Sequence, residues 1–200
     1  LWLVEHPPVF TLGLGADPAH VIDAHQIPVI QTDRGGEVTY HGPGQLVGYP
    51  ILSLEPKHGD SGPADTRAYI SALEQSLIDA LVELGLAHVG KMGEFPGVWV
   101  EPAGTRPRKI AAIGVRVGNG STQRRTMHGF ALNVSTDLTY MRDISRIGGD
   151  IQQTARAELP GIFKNNSVDD LINELSVGEM SPTTAVEASK ALRAKATANY

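Results

Sequence analysis

Three segments of this chain carry residue types that could do chemistry together. The densest is Arg34-Gly35-Gly36-Glu37-Val38-Thr39-Tyr40-His41-Gly42-Pro43-Gly44-Gln45. Its glycines let backbone come close to a ligand and permit positive φ where other residues would strain. Arg34 offers a planar donor fork for a carboxylate, carbonyl or phosphate. The same residues read equally well as a hairpin with two tight turns and a surface arginine. The second segment is His128-Gly129-Phe130-Ala131-Leu132-Asn133. A histidine before glycine in an apolar strand is more often a satisfied core residue than a catalyst. The third is Lys109, which heads the apolar run Ile110 to Val117. Beside Arg106 and Arg108 it reads as solvated. Aimed into a pocket, it would have its pKa lowered by burial, and its charge would favour a nearby anion.

Other chemistries lack their residues. The chain has 200 residues and no cysteine, which removes disulfides, thiolate zinc sites and cysteine nucleophiles. That composition is compatible with a cytoplasmic protein. The 7 histidines show no metal-ligand spacing. Gly13-Leu14-Gly15 begins like a dinucleotide loop, but the third glycine is missing and Ala16-Asp17-Pro18 starts no long amphipathic helix. A formal charge of -5 gives no footprint for nucleic acid. No run of about 18 apolar residues exists to span a membrane.

The elements that must position these segments are short strands and one long helix. Leu1 to Leu12 reads as a strand interrupted by His6-Pro7-Pro8, since two prolines cannot sit in a central ladder. Pro28 to Thr32 is a strand, Asp33 to Gly36 a turn, and Glu37 to His41 a strand broken by Gly42-Pro43-Gly44. Gln45 to Leu54 resumes as a strand. Ile70, Leu73, Leu77, Leu81 and Leu84 recur at three- and four-residue spacing, which predicts a helix over about Asp65 to Leu86, closed by Gly85 or Gly90. Gly97 to Val100 and Lys109 to Val117 look like paired strands across a turn with two prolines, and Thr126 to Val134 is a further strand. Ser167 to Leu175 and Pro182 to Ala196 are helical candidates, the second capped by Ser181. The expectation is an α+β fold with a mixed sheet flanked by helices. It places one domain over residues 1–180 and an Ala-rich helix or disordered tail over residues 181–200. Leu1-Trp2-Leu3-Val4 reads as a strand entered midway, so a truncated start is expected.

Taken together, these segments resemble the lipoyl(octanoyl) transferase family. Glu5-His6-Pro7-Pro8-Val9 resembles its early motif, and Arg34 through Gln45 its signature loop. Pro96 to Val100 and Lys109 to Gly114 resemble its paired central strands, and His128 to Val134, followed by Asp137-Leu138, the next one. The resemblance runs from Leu1 to Asp143. It implies the fold shared with biotin protein ligases and lipoate ligases. It also implies ping-pong transfer of octanoyl from acyl carrier protein, through a cysteine thioester, to a lysine of a lipoyl domain. The lipoyl domains would be those of 2-oxoacid dehydrogenases or the glycine cleavage H protein. No cofactor is implied. By position, Arg34 to His41, Ala112-Ile113-Gly114 and Gly129-Phe130-Ala131 would line the acyl site. Lys109 would lower the pKa of the cysteine.

The chain departs from that family at one point. Aligned without gaps from Asp137, the family's cysteine falls at Ile147, followed by Gly148. Isoleucine cannot form a thioester, and Ser145 nearby is a far poorer nucleophile without a paired base. Three readings follow. They are an octanoyltransferase by descent that has lost its thiol, a non-enzymatic relative that binds octanoyl, carrier or lipoyl domain, and, ranked last, an ATP-dependent ligase.

Overall fold

Prolines and glycines cut the first fifty residues into short strands, and pairing sorts those strands into two sheets. The computed structural model describes residues 1–56, 64–93, 95–118, 124–144 and 153–154. The strands are β1 (Trp2–Val4), β2 (Val9–Leu12), β3 (Val29–Gln31), β4 (Val38–His41) and β5 (Gln45–Tyr49). After α1 (Thr66–Glu83) come β6 (Val89–Gly90), β7 (Val98–Val100), β8 (Arg108–Val117), β9 (Thr126–Asn133) and β10 (Gln153–Thr154). The larger sheet has 7 strands in the order β1-β5-β9-β8-β7-β6, with β10 also alongside β8. The smaller has 3, in the order β3-β2-β4. His6-Pro7-Pro8 carries the chain from one sheet to the other, because proline cannot donate to a continuing ladder. One mixed sheet was expected. Both sheets are mixed: β10 lies parallel to β8, and β3 parallel to β2, while the other pairings are antiparallel.

The helix forms where its apolar spacing predicts. Asp65 caps it, its Oδ1 accepting the Ala68 N–H at 2.9 Å. Leu84 ends it, and Gly85 follows at φ +87°, a left-handed turn that glycine adopts without strain. Leu73, Leu77 and Leu81 are buried. Leu77 and Leu81 pack with Leu46, Val98, Ile110, Ala111, Leu132 and Val134 against the larger sheet. Glu74 is buried on the same helix, a polar residue the apolar stripe does not announce.

β6 and β10 lie outside the expected strands, and β5 and the β7–β8 pairing differ from expectation. β5 stops at Tyr49 rather than Leu54, because Pro50 has no N–H for a ladder. The Pro50 carbonyl instead accepts the Thr126 hydroxyl at 2.5 Å. Between β7 and β8 the register shifts, so that Trp99 faces Lys109 while Val98 faces Ala111. This bulge lets consecutive Ile110 and Ala111 both enter the core, which strict alternation would forbid. The helical candidates over 167–175 and 182–196, the tail and Ile147 lie outside the described residues. No helix among the described residues is long and apolar enough to cross a membrane.

The turn between β4 and β5 is held from three sides. Gly44 N–H donates to Glu5 at 2.9 Å, and the Gly44 carbonyl accepts from the backbone of Val134 and Ser135 and from the Thr136 hydroxyl. Gly44 has φ +82°, and a Cβ there would sit 2.6 Å from the Ser135 carbonyl carbon. Gly44→Ala is expected to lower the urea-unfolding free energy by more than about 1 kcal/mol, from left-handed strain alone. Gly93 has nothing within 4 Å of such a Cβ, so Gly93→Ala should change stability by less than about 0.5 kcal/mol. Equal effects of the two variants would refute this account of the turn.

Candidate functional site

A cavity of about 830 Å³ opens beside the larger sheet, within the range of small-molecule sites. Three segments wall it: Arg34 to Thr39 with His41, Lys109 with Ala112 to Val115, and His128 to Ala131. Tyr40 is the exception among the expected lining residues. Its side chain is buried, with the ring 5.4 Å from Phe10 and stacked 4.8 Å from Tyr140. Alternation along β4 puts it on the face opposite Thr39 and His41, which line the cavity. Burial pushes its hydroxyl up to about 12.

Arg34 is neither a surface residue nor an open fork for a ligand. It is buried, and its guanidinium is occupied by the protein. Nη2 donates to the Thr11 carbonyl at 2.7 Å and to Thr11 Oγ1 at 3.0 Å, Nε donates to Thr11 Oγ1, and Nη1 to the Gly35 carbonyl at 3.0 Å. The side chain thus ties β2 to the loop. Gly35 N–H donates to the Val115 carbonyl at 3.0 Å, which lays the loop across β8. Gly114 makes that approach possible, since a Cβ there would lie 3.0 Å from the Gly35 oxygen and 3.1 Å from Arg34 Cδ.

At the other end of the hairpin, a polar chain enters the cavity wall. Gln45 is almost fully buried. Its Nε2 donates to the Tyr40 carbonyl at 3.2 Å and to Asn133 Oδ1 at 2.9 Å. Its Oε1 lies 2.7 Å from His41 Nδ1. A backbone carbonyl only accepts, so the Tyr40 oxygen fixes the Gln45 amide, and the amide oxygen requires a proton on Nδ1 of His41. Desolvation lowers the His41 pKa to about 4, with the Gln45 hydrogen bond opposing and His6 and Arg34 adding to the fall. Beside it, His6 Nε2 lies 2.7 Å from the Tyr49 hydroxyl. Of this network, sequence reading singled out His41 but not Gln45, Asn133, His6 or Tyr49 as parts of a site.

Lys109 faces the cavity, and its Nζ sits 4.8 Å from the Trp99 ring. Burial lowers its pKa to about 8, and Glu74 partly opposes that. The Glu74 carboxylate is itself occupied, accepting the Gly97 N–H at 2.9 Å and lying 3.9 Å from Lys91 Nζ. His128 is not a plain core histidine. It has φ +59° inside β9, and its Nε2 lies 2.6 Å from Asp33 Oδ1. Asp33 is also paired with Arg116, and both partners hold its carboxyl below the usual range, the His128 bond first. A strained, non-glycine conformation is maintained only where the surroundings over-determine it. Here the Asp33 contact does so, closing the loop before Arg34 onto β9.

The family model of the lipoyl protein ligase A/B catalytic domain matches residues 1–189. The octanoyltransferase of Herminiimonas arsenicoxydans is 53% identical over 140 residues, covering 70% of this chain and 62% of that protein. The octanoyltransferase of Janthinobacterium sp. (strain Marseille) is 52% identical over 177 residues, covering 88% and 78%. The chain therefore spans less than two thirds of some curated relatives that it matches. Among solved structures, a bi-partite lipoate protein ligase from Thermoplasma acidophilum, described with its E2 lipoyl domain, superposes with TM-score 0.64 at 16% identity, covering 87% of this chain and 68% of that one. A lipoate-protein ligase A bound with ATP gives TM-score 0.61 at 17% identity, covering 87% and 70%. Those two likenesses establish the fold alone. With the family match and the curated relatives, this chain belongs to the lipoyl protein ligase A/B catalytic domain family, on its octanoyltransferase branch, and carries no cysteine.

Proposed function

We propose that the cavity holds a medium-length acyl chain, and that the site is built for octanoyl transfer from acyl carrier protein to the lysine of a cytoplasmic lipoyl domain. The observation that supports this reading is convergence. The arginine–glycine loop, the strand led by Lys109 and the His128–Ala131 strand wall one cavity. Val38, Ala112, Ile113, Phe130 and Ala131 give it apolar surface for a hydrocarbon chain, whose burial is worth about 0.8 kcal/mol per methylene. Lys109 would place a positive charge where a thioester is made or broken.

The reaction requires that a lysine amine lose a proton before or as it attacks. With Nδ1 protonated toward Gln45, neutral His41 keeps its lone pair on Nε2 and can accept that proton. The thiol that would carry the octanoyl group between the two partners has no counterpart, because the chain contains no cysteine. The site therefore binds the chain without forming a thioester. Lipoyl domains of 2-oxoacid dehydrogenases or the glycine cleavage H protein are the acceptors that this reading implies.

Ile147→Cys is expected to create octanoyl transfer from octanoyl-carrier to a lipoyl domain, read by the mass gain of the lipoyl domain. No transfer in a folded variant that still binds octanoate would mean that the position or the reaction is wrong. ATP-dependent loading of free octanoate would instead favour ligase chemistry.

The His41 ring makes a second prediction. An ordinary histidine protonates near 6.5, and folded His41 only near 4. Between those values the unfolded chain holds a proton that the folded one does not, so stability rises with pH and is lost as pH falls from 6.5 toward 4. His41→Gln should reduce the fall in urea midpoint between pH 7 and pH 5. NMR titration should show the His41 ring neutral at pH 5, and a ring half-protonated near 6.5 would contradict the assignment.

A further inference from the structure

Lys109 Nζ carries no direct partner among the described residues, although the charge of Glu74 reaches it. Among the described residues its Nζ makes no hydrogen bond or ion pair, and its neighbour is the face of Trp99 at 4.8 Å. The nearby carboxylate of Glu74 is engaged by Gly97 and Lys91. Lys91 also donates to the Ser71 carbonyl and hydroxyl, at 2.8 and 2.7 Å. The two lysines are therefore held differently: one is anchored at the surface by oxygen acceptors, the other is desolvated in the cavity wall. Removing an ammonium from water without pairing it raises the fraction present as neutral amine, and a neutral amine is a nucleophile.

We propose that Lys109 is itself an acyl acceptor, so that a medium-chain acyl thioester entering the cavity acylates its Nζ. This rests on the reading of the cavity as an acyl site. The Nζ lone pair attacks the thioester carbonyl carbon. The C–N bond forms, the C–S bond breaks, and the thiolate leaves and takes up the proton released by the nitrogen. No oxidant, nucleotide or metal is required. The product is an amide, which water does not readily reverse, so each chain reacts once. In a relative with a thiol, the thioester passes its acyl group onward. Without one, the desolvated amine of Lys109 is a nucleophile already in the cavity wall. The low pKa of about 8 agrees with this geometry.

S-octanoyl-pantetheine incubated with the full chain tests the proposal by intact mass and peptide mapping. One octanoyl group per chain is expected, on Lys109 and resistant to hydroxylamine. Its rate should rise with pH up to about 8 and then level. Lys109→Arg and Lys109→Met, checked for folding by thermal melt, should lower the adduct at least tenfold, and Lys91→Arg should leave it unchanged. An adduct spread over several lysines, one that hydroxylamine removes, or one that survives both Lys109 variants would overturn the proposal. So would the absence of an adduct when octanoate raises the melting temperature, which leaves the acyl reading of the cavity standing. If octanoate gives neither shift nor competition and no adduct forms, the cavity reading falls as well.

Discussion

The buried guanidinium of Arg34 sets the spacing on which the rest of the site depends. A charge removed from water must be met by hydrogen bonds, and this one is met by Thr11 on the smaller sheet and by the carbonyl of Gly35. Charge-assisted bonds of this kind contribute about 1.5–3 kcal/mol each. Gly35 in turn bonds to Val115 on the larger sheet. The loop is therefore fixed to both sheets at once, and the cavity lies where it holds them apart. An arginine that looks like a ligand-binding fork in sequence acts here as the frame of the cavity.

Two basic groups then face the same cavity under one physical influence. Desolvation penalises the charged form, and it lowers both His41 and Lys109. For His41 the hydrogen-bond chain through Gln45 to the Tyr40 carbonyl also chooses which nitrogen keeps the proton. For Lys109 no acceptor intervenes among the described residues, and the Trp99 face stabilises what charge remains. A cavity that is apolar enough for a hydrocarbon chain is thereby also one in which amines and imidazoles become proton acceptors. An apolar lining and acid–base character come from the same low polarity.

The comparison of relatives bears on the missing thiol. The chain is 52% identical to an octanoyltransferase over 177 residues, yet no cysteine is present. Packing constraints account for several residues in and beside the wall without appeal to turnover. Gly44 and Gly114 answer close approaches, and Arg34 holds two sheets. Such residues are needed for the fold whether or not a thioester ever forms.

The sequence by itself determined most of the strand and helix order through to β9, the short β6 excepted, because prolines, glycines and the leucine spacing act locally. It also singled out the three segments that the fold brings to one cavity, since their residue types are rare in combination. What only tertiary structure decided was how those residues are used. The split into two sheets, the bulge that buries both Ile110 and Ala111, and the turning of Tyr40 away from the cavity all depend on which strands pair. So do the closure of Arg34 on Thr11, the burial of Glu74, the Gln45–His41 chain and the strained His128 held by Asp33. These contacts join residues far apart along the chain, and neither spacing nor composition encodes a partner at that distance. Local rules choose the element, but the charge state and the orientation of a side chain are set by whatever the fold brings against it.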